Sequence, residues 1–166
     1  GCSKLCIPSE KFDDNRWAGD NSSKAYITVM GAGQLGTIDL TTFALHKWRS
    51  AANTPRHIVL SPDGLTLYVS HNLSSVLTSH DATTGRLLKR GVTGTEPRTM
   101  AISPEGDALY VVNYQSATMT VVSTATMKVT QRISTPPHPI GVTFEPTLNR
   151  VWVACYSGLI KIYART

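Results

Sequence analysis

The stretch TPRHIVLSPDGLTLYVSHN, residues 54–72, recurs twice further along the chain. Its second copy is EPRTMAISPEGDALYVVNY at residues 96–114, and its third is HPIGVTFEPTLNRVWVACY at residues 138–156. A proline near the start of each copy keeps an interval of 42 residues, at Pro55, Pro97 and Pro139. An aromatic residue further along keeps the same interval, at Tyr26, Tyr68, Tyr110 and Trp152. Independent positions that share one period without gaps indicate an internal repeat.

Each copy of the repeat predicts four short strands. An apolar strand, as at residues 58–60, leads into the turn at 61–64, where proline supplies a fixed φ and glycine a permissive one. A second strand is expected at 67–69, a third at positions such as 118–122, and a fourth at positions such as 128–133. Four strands in about 42 residues are typical of one blade of a β-propeller, so we expect an all-β fold built of four-stranded blades.

The period divides residues 1–166 into a single propeller unit of about four blades. The predicted blades are residues 13–54, 55–96, 97–138 and 139–166, the last without its outer strand. Residues 3–7 are in phase with the outer strands, and residues 16–18 are expected to form the inner strand of the first blade. We therefore expect residues 3–7 to serve as an outer strand that closes a blade, which removes an exposed sheet edge.

Three ways of completing the ring are compatible with this count. Two copies of the chain could exchange end strands and form an eight-bladed ring. The chain could instead be half of a larger propeller that a second chain completes, or a small four-bladed ring. The expected partner is therefore another copy of the chain or a second polypeptide.

A glycine-rich stretch, VMGAGQLGT at residues 29–37, has the spelling of a dinucleotide-binding turn. Such a turn needs a helix directly after it and an acidic residue about 20 residues further on. Residues 40–62 contain neither Asp nor Glu, and the repeat aligns residues 31–36 with the hairpin at 73–78. We predict a tight hairpin here and no nucleotide cofactor.

The repeat resembles the YVTN-type propeller repeat of bacterial and archaeal exported proteins. The resemblance is carried by LSPDGLTLYVSHN, ISPEGDALYVVNY and TIDLTT, and it covers roughly residues 21–166. The last copy departs from the pattern, with EPTL at residues 145–148 in place of the glycine turn and Cys155 in the place of Asn113. The resemblance implies a periplasmic or extracellular protein. The opening GCS is also similar to the end of a lipoprotein signal, which would make Cys2 a lipid anchor; an ordinary thiol or a Cys2–Cys6 disulfide is the alternative.

Charge and hydropathy argue against nucleic-acid binding and against a membrane span. The net charge of +5 is scattered, without a run of five basic residues, so a nucleic-acid partner is not expected. No apolar run approaches the roughly 18 residues that a membrane span needs.

Propellers bind ligands at the end of the central channel, where the residues after each inter-blade proline lie. Arg56 and Arg98 occupy the same position in adjacent blades, and together they suit a carboxylate or a phosphate. The alternative is that each arginine pairs with a nearby acid such as Glu96 or Asp14. We therefore predict a non-catalytic propeller that holds an anionic small molecule or a partner protein.

The remaining candidate ligand-binding residues are also expected on this face, and they are His57, His71, Asn113, Tyr114 and His138. Histidines from different blades could ligate a metal or haem iron. Similarity to propeller domains of periplasmic nitrite reductases and copper enzymes makes a redox-enzyme subunit the competing function. The simpler interpretation is isolated, hydrogen-bonded histidines, and no metal or cofactor is predicted.

Overall fold

The structure is a computed structural model that describes residues 3–6 and 23–165. These residues form fifteen strands and two single 3-10 turns, arranged in four antiparallel sheets. The all-β fold of about four blades is thereby confirmed. In this part of the chain, no helix has the length and apolar character to cross a bilayer.

Each sheet is a blade whose strands lie side by side in chain order. The first blade contains β1 (Ser3–Cys6), β2 (Lys24–Val29), β3 (Gln34–Asp39) and β4 (Leu45–Arg49). The second blade contains β5 (Pro55–Leu60), β6 (Thr66–His71), β7 (Val76–Asp81) and β8 (Leu87–Val92). The third blade contains β9 (Pro97–Ile102), β10 (Ala108–Asn113), β11 (Thr118–Ser123) and β12 (Val129–Ser134). The fourth blade contains β13 (Pro139–Glu145), β14 (Arg150–Cys155) and β15 (Ile160–Ala164).

Strand composition follows the position of each strand in its blade. The second strand, such as β10 with the sequence ALYVVN, is buried on both faces and is rich in β-branched and aromatic residues. The fourth strand, such as β12 with the sequence VTQRIS, is largely exposed and polar. Polar side chains on the outer strand discourage edge-to-edge pairing with other molecules.

The hydrophobic core lies between the blades. At the first interface, Tyr26 and Leu35 of the first blade pack against Ile58, Leu67 and Val69 of the second. The next two interfaces repeat this arrangement with residues one period further along. Burying one such aliphatic side chain contributes roughly 1.5–3 kcal/mol, so stacking of successive blades stabilises the chain.

The expected role of residues 3–7 as an outer strand is wrong. In the structure β1 pairs with β2 at the inner edge of the first blade, with Ser3 opposite Val29 and Cys6 opposite Tyr26. The physical reason is that β2 otherwise leaves a row of backbone N–H and C=O groups unpaired on that side. The predicted inner strand at residues 16–18 lies outside the described residues, as does Cys2.

The glycine-rich stretch forms a hairpin, as predicted. A single 3-10 turn covers Met30–Ala32, and Gly33 follows in the left-handed conformation with φ of 61°. Strand β3 then begins at Gln34, so no helix follows the glycines. Without a helix N-terminus to hold a pyrophosphate, this stretch lacks the physical basis of a dinucleotide site.

Candidate ligand site on the channel face

One end of the blades is formed by the connections between blades and by the hairpins that join second to third strands; we call it the channel face. A repeated backbone hydrogen bond ties each connection to the hairpin beside it. Its three examples run from Asn72 N–H to the Thr54 carbonyl, from Tyr114 N–H to the Glu96 carbonyl and from Tyr156 N–H to the His138 carbonyl, at 2.9–3.0 Å. The accepting residues all have φ between 54° and 56°. A positive φ is energetically unfavourable for residues other than glycine. Because it recurs in all three described connections between blades, it is a regular feature of the junction between two blades.

Three of the predicted site residues form one stack on this face. The Arg98 guanidinium lies 4.1 Å from the centre of the Tyr114 ring. Tyr114 in turn stacks on His138, with ring centroids 4.6 Å apart and an interplanar angle of 28°. We call these three residues the Arg98 stack. It joins the start of β9, the hairpin after β10 and the connection before β13, so it exists only when the third and fourth blades are packed together.

The Arg98 guanidinium retains unused hydrogen-bonding capacity. Its Nη2 lies 4.0 Å from Glu96 Oε2, at the outer limit of an ion pair, and its side chain is 24% exposed. Its buried Nε has no hydrogen-bond partner among the described residues. The expected pairing of Arg98 with Glu96 is therefore present but long, and pairs of this kind contribute little to stability. A planar cation held against an aromatic ring is suited to recognise a carboxylate or a phosphate.

Arg56 lies beside a groove on the channel face. Its Nη1 is 3.9 Å from Met30 Sδ. Met30 and the glycines Gly31 and Gly33 line an open groove of about 450 Å³ between the first two blades. A Cβ added at either glycine meets no atom within 4 Å, so the hairpin borders free space.

Asn113, predicted as a ligand contact, is instead a structural residue. It is fully buried, and its Oδ1 accepts hydrogen bonds from Thr93 Oγ1 at 3.0 Å and from Gly94 N–H at 3.1 Å. Its Nδ2 donates to Thr118 and Thr120 in the neighbouring strand. The prediction was wrong because a buried amide must satisfy its polar atoms within the protein, and these partners occupy both ends of the amide.

His71 is also buried, in a hydrogen-bonded chain with a second histidine. The Thr78 hydroxyl lies 2.8 Å from Nε2 of His71 and 2.9 Å from Nε2 of His80. Nδ1 of His80 is 3.0 Å from the Gly85 carbonyl, which can only accept, so Nδ1 carries the proton. The Thr78 hydroxyl then donates to His80 and accepts from Nε2–H of His71, which assigns the neutral tautomers of both rings.

Burial makes both of these histidines poor bases. It lowers the pKa of His71 to about 4, against a smaller opposing effect of the Asn53 backbone. Burial also lowers the pKa of His80. Both rings are therefore uncharged near neutral pH.

The structure does not bring His57, His71 and His138 together as a ligand set. His57 accepts a hydrogen bond from the Met100 N–H at Nδ1, while His71 is enclosed with Thr78 and His138 stacks on Tyr114. Across residues 3–6 and 23–165, no group of three or more His, Cys, Asp or Glu side chains is arranged to hold a metal ion. The three histidines therefore do not form a shared ligand set among the described residues.

Two features of this region were not predicted from the sequence. The role of His80 was signalled by its departure from the repeat, since it stands where the first blade has Ile38. The contact between Tyr114 and His138 carried no sequence signal, because two blades must first be packed together to create it.

Comparisons with known proteins agree with this architecture. A family model described as "Lactonase, 7-bladed beta-propeller" matches residues 31–146. Hydrazine synthase of Kuenenia stuttgartiensis is similar in structure, with a TM-score of 0.79 and 18% identity over 87% of this chain and 43% of that one. Dihydro-heme d1 dehydrogenase NirN in complex with DHE has a TM-score of 0.66 and 17% identity over 90% of this chain and 36% of that one. The chain thus spans less than half the length of either structure, and at these identities the likeness is one of fold. No curated protein matches the sequence.

Proposed function

Because this chain belongs to the lactonase family of 7-bladed β-propellers, we propose that it is part of a larger propeller whose channel face binds an anionic ligand without catalysing a reaction. The SPDG and LYV motifs support a place among YVTN-type repeats, and with it a periplasmic or extracellular location. The partner that completes the ring is a second polypeptide segment carrying further blades.

The Arg98 stack is the observation that carries this proposal. The ring of Tyr114 supports one face of the guanidinium, and the buried Nε lacks a hydrogen-bond partner in the described residues. A side chain that is already ordered loses less entropy when it binds, which raises affinity. A carboxylate or a phosphate can accept two parallel N–H···O hydrogen bonds from the planar guanidinium of Arg98.

We expect Arg98→Ala to weaken anion binding about tenfold or more, because a charge-assisted pair contributes about 1.5–3 kcal/mol. Titration calorimetry with inorganic phosphate and with citrate at low ionic strength measures this effect. Arg132→Ala is the matched control, since it removes the same charge from the exposed outer strand β12. Equal binding by the Arg98→Ala and Arg132→Ala proteins would assign the affinity to net charge alone and reject the site.

The family name points to a reaction, lactone hydrolysis, and this reaction provides a test of the non-catalytic assignment. We expect no acid release from a sugar lactone above the buffer rate. Hydrolysis by the protein that is lost in Arg98→Ala or His138→Ala, with folding intact, contradicts the assignment and makes the stack an active site.

The competing proposal is a subunit of a periplasmic redox enzyme that binds metal or haem at this face. It is supported by the titles of the two similar structures, one a hydrazine synthase and the other a dehydrogenase of dihydro-heme d1. The separate environments of the three histidines count against it. A Soret band or one equivalent of metal in the purified protein, lost in His138→Ala, would establish this function in place of the binding propeller.

A further inference from the structure

The end of the blades opposite the channel face carries a groove between the second and third blades. The turns between first and second strands and between third and fourth strands form this end, which we call the turn face. The groove has a volume of about 360 Å³. Residues 61–63 and Tyr68 of the second blade face residues 105–106 and 124–125 of the third across it. Ser61 and Tyr68 are buried in its wall, so the packing of the two blades holds its lining in place.

At the next junction an arginine side chain stands at the equivalent position. The residue after each third strand donates its N–H to the carbonyl of the residue before the second strand. These bonds run from Ala82 to Leu65, from Thr124 to Asp107 and from Arg165 to Asn149, at 2.9–3.1 Å. The hairpin of the fourth blade is one residue shorter in its register than that of the third. Arg165 therefore stands where the third blade has Thr124, which lines the groove.

The contacts of Arg165 show what such a junction binds. Its Nη2 lies 2.9 Å from both carboxylate oxygens of Asp107, and its Nη1 bonds to Glu105. Its guanidinium lies 5.9 Å from the centre of the Phe144 ring, which stacks on Tyr110. A planar cation thus covers the seam between the third and fourth blades, held by carboxylates of the third-blade turn.

The groove between the second and third blades repeats the carboxylate acceptor but not the arginine. Ser61 donates its hydroxyl to Asp63 Oδ1, as Ser103 does to Asp107 Oδ1. These hydrogen bonds lower the pKa of both carboxyl groups, so both are ionised near neutral pH. Asp107 pairs with Arg165, whereas Asp63 forms no ion pair within residues 3–6 and 23–165.

Two other charged side chains border the groove, and both are engaged elsewhere. Glu105 lines the groove and is paired with Arg165. The Lys89 ammonium donates to the carbonyl of Ala125 at the rim. Neither contact involves Asp63, so its carboxylate is the charged group that an incoming cation meets.

We propose that this groove, which we call the Asp63 groove, binds an arginine side chain of a partner polypeptide at the turn face. The guanidinium donates to the Asp63 carboxylate, and the small Thr124 leaves the space that the Arg165 side chain fills one junction further on. A lysine suits the groove less well, because its compact ammonium lacks the planar fork of donors. The groove lies at the other end of the blades from the Arg98 stack, so this proposal does not depend on the proposed ligand site.

Binding of N-acetyl-arginine methylamide, followed through amide chemical shifts, tests the proposal. We expect the amides of residues 61–68 to shift, and the affinity to fall about tenfold or more in Asp63→Asn and for the citrulline analogue, which has the same shape without the charge. Asp39→Asn is the matched control, because it removes a carboxylate from the same face of the first blade. Equal binding by Asp63→Asn, or equal binding of the citrulline analogue, overturns the proposal. Tighter binding of the lysine analogue also overturns it.

Two further variants keep the proposal falsifiable if Asp63→Asn disturbs its turn. Arg165→Ala opens the equivalent groove, so the same probe should then shift residues 103–110 as well. A probe that binds there but leaves residues 61–68 unshifted in the wild type rejects the Asp63 groove. Thr124→Arg supplies the side chain from within the chain and should block binding at residues 61–68. Gln131→Arg adds the same charge to the exposed outer strand β12 and should leave binding unchanged. Unchanged binding in Thr124→Arg places the probe elsewhere and rejects the proposal.

Discussion

Replacing Asn113 by alanine is expected to lower the free energy of unfolding by about 3–4 kcal/mol, the largest effect of any single substitution proposed for the ligand site or the histidine pair. The amide is fully buried, and Gly94 N–H donates to its Oδ1 at 3.1 Å. Alanine leaves that backbone donor without a partner in a site that excludes water, at a cost of about 1–3 kcal/mol. The cavity left by the missing amide adds to the loss.

Urea denaturation followed by circular dichroism measures this effect. Gln115→Ala is the control, because Gln115 is an exposed neighbour on the same hairpin, and its change should stay within about 0.5 kcal/mol. A loss below about 1 kcal/mol in Asn113→Ala would mean that Thr93 and Gly94 find other partners, and it would return Asn113 to the list of candidate ligand contacts.

The second large effect is a loss of stability in mild acid, which we expect to reach about 3 kcal/mol between pH 7 and pH 4. Burial lowers the pKa of His71 to about 4 in the folded chain, whereas an unfolded histidine titrates near 6.5. The unfolded state therefore binds more protons across this window, and stability falls as the pH drops through it. His80, whose pKa burial also lowers, acts in the same direction.

Unfolding free energies measured at intervals from pH 7 to pH 4 test this expectation. His71→Asn introduces the residue that the third blade carries at the same position, and it should flatten most of the slope. His46→Asn removes an exposed histidine from β4 and should leave the slope unchanged. An acid-induced loss of equal size in the wild type and in His71→Asn would place its origin elsewhere in the protein.

The fold was predictable because its signals are local. Proline and glycine turns, a buried tyrosine and alternating apolar residues recur in each copy of the repeat, and neighbouring residues suffice to produce them. The position of β1 was not predictable in this way. The phase of the repeat placed residues 3–7 at an outer edge, but strand pairing depends on which backbone edge is free, and β2 has such an edge on its inner side.

The candidate site was predictable only in part. The repeat predicts Arg98, Tyr114 and His138 on one face, and the structure brings their side chains into a single stack. It could not separate ligand-facing residues from buried ones, because both kinds follow the same period. Asn113 and His71 occupy the same repeat position, and both are buried. Asn113 bonds to partners in its own blade and in the connection before it, and His71 bonds to Thr78 of its own blade.

The sequence by itself determined the strand order within the blades, the repeat length and the hairpin at the glycine-rich stretch, since these depend on turn chemistry and on the alternation of side chains along a strand. Only the tertiary structure decided which polar groups remain available to a ligand and which are enclosed. Packing of one blade on the next assembles the Arg98 stack and encloses Asn113. The one-residue shortening of the last hairpin places Arg165 at the position of Thr124, an equivalence that is visible only in the register of the paired strands.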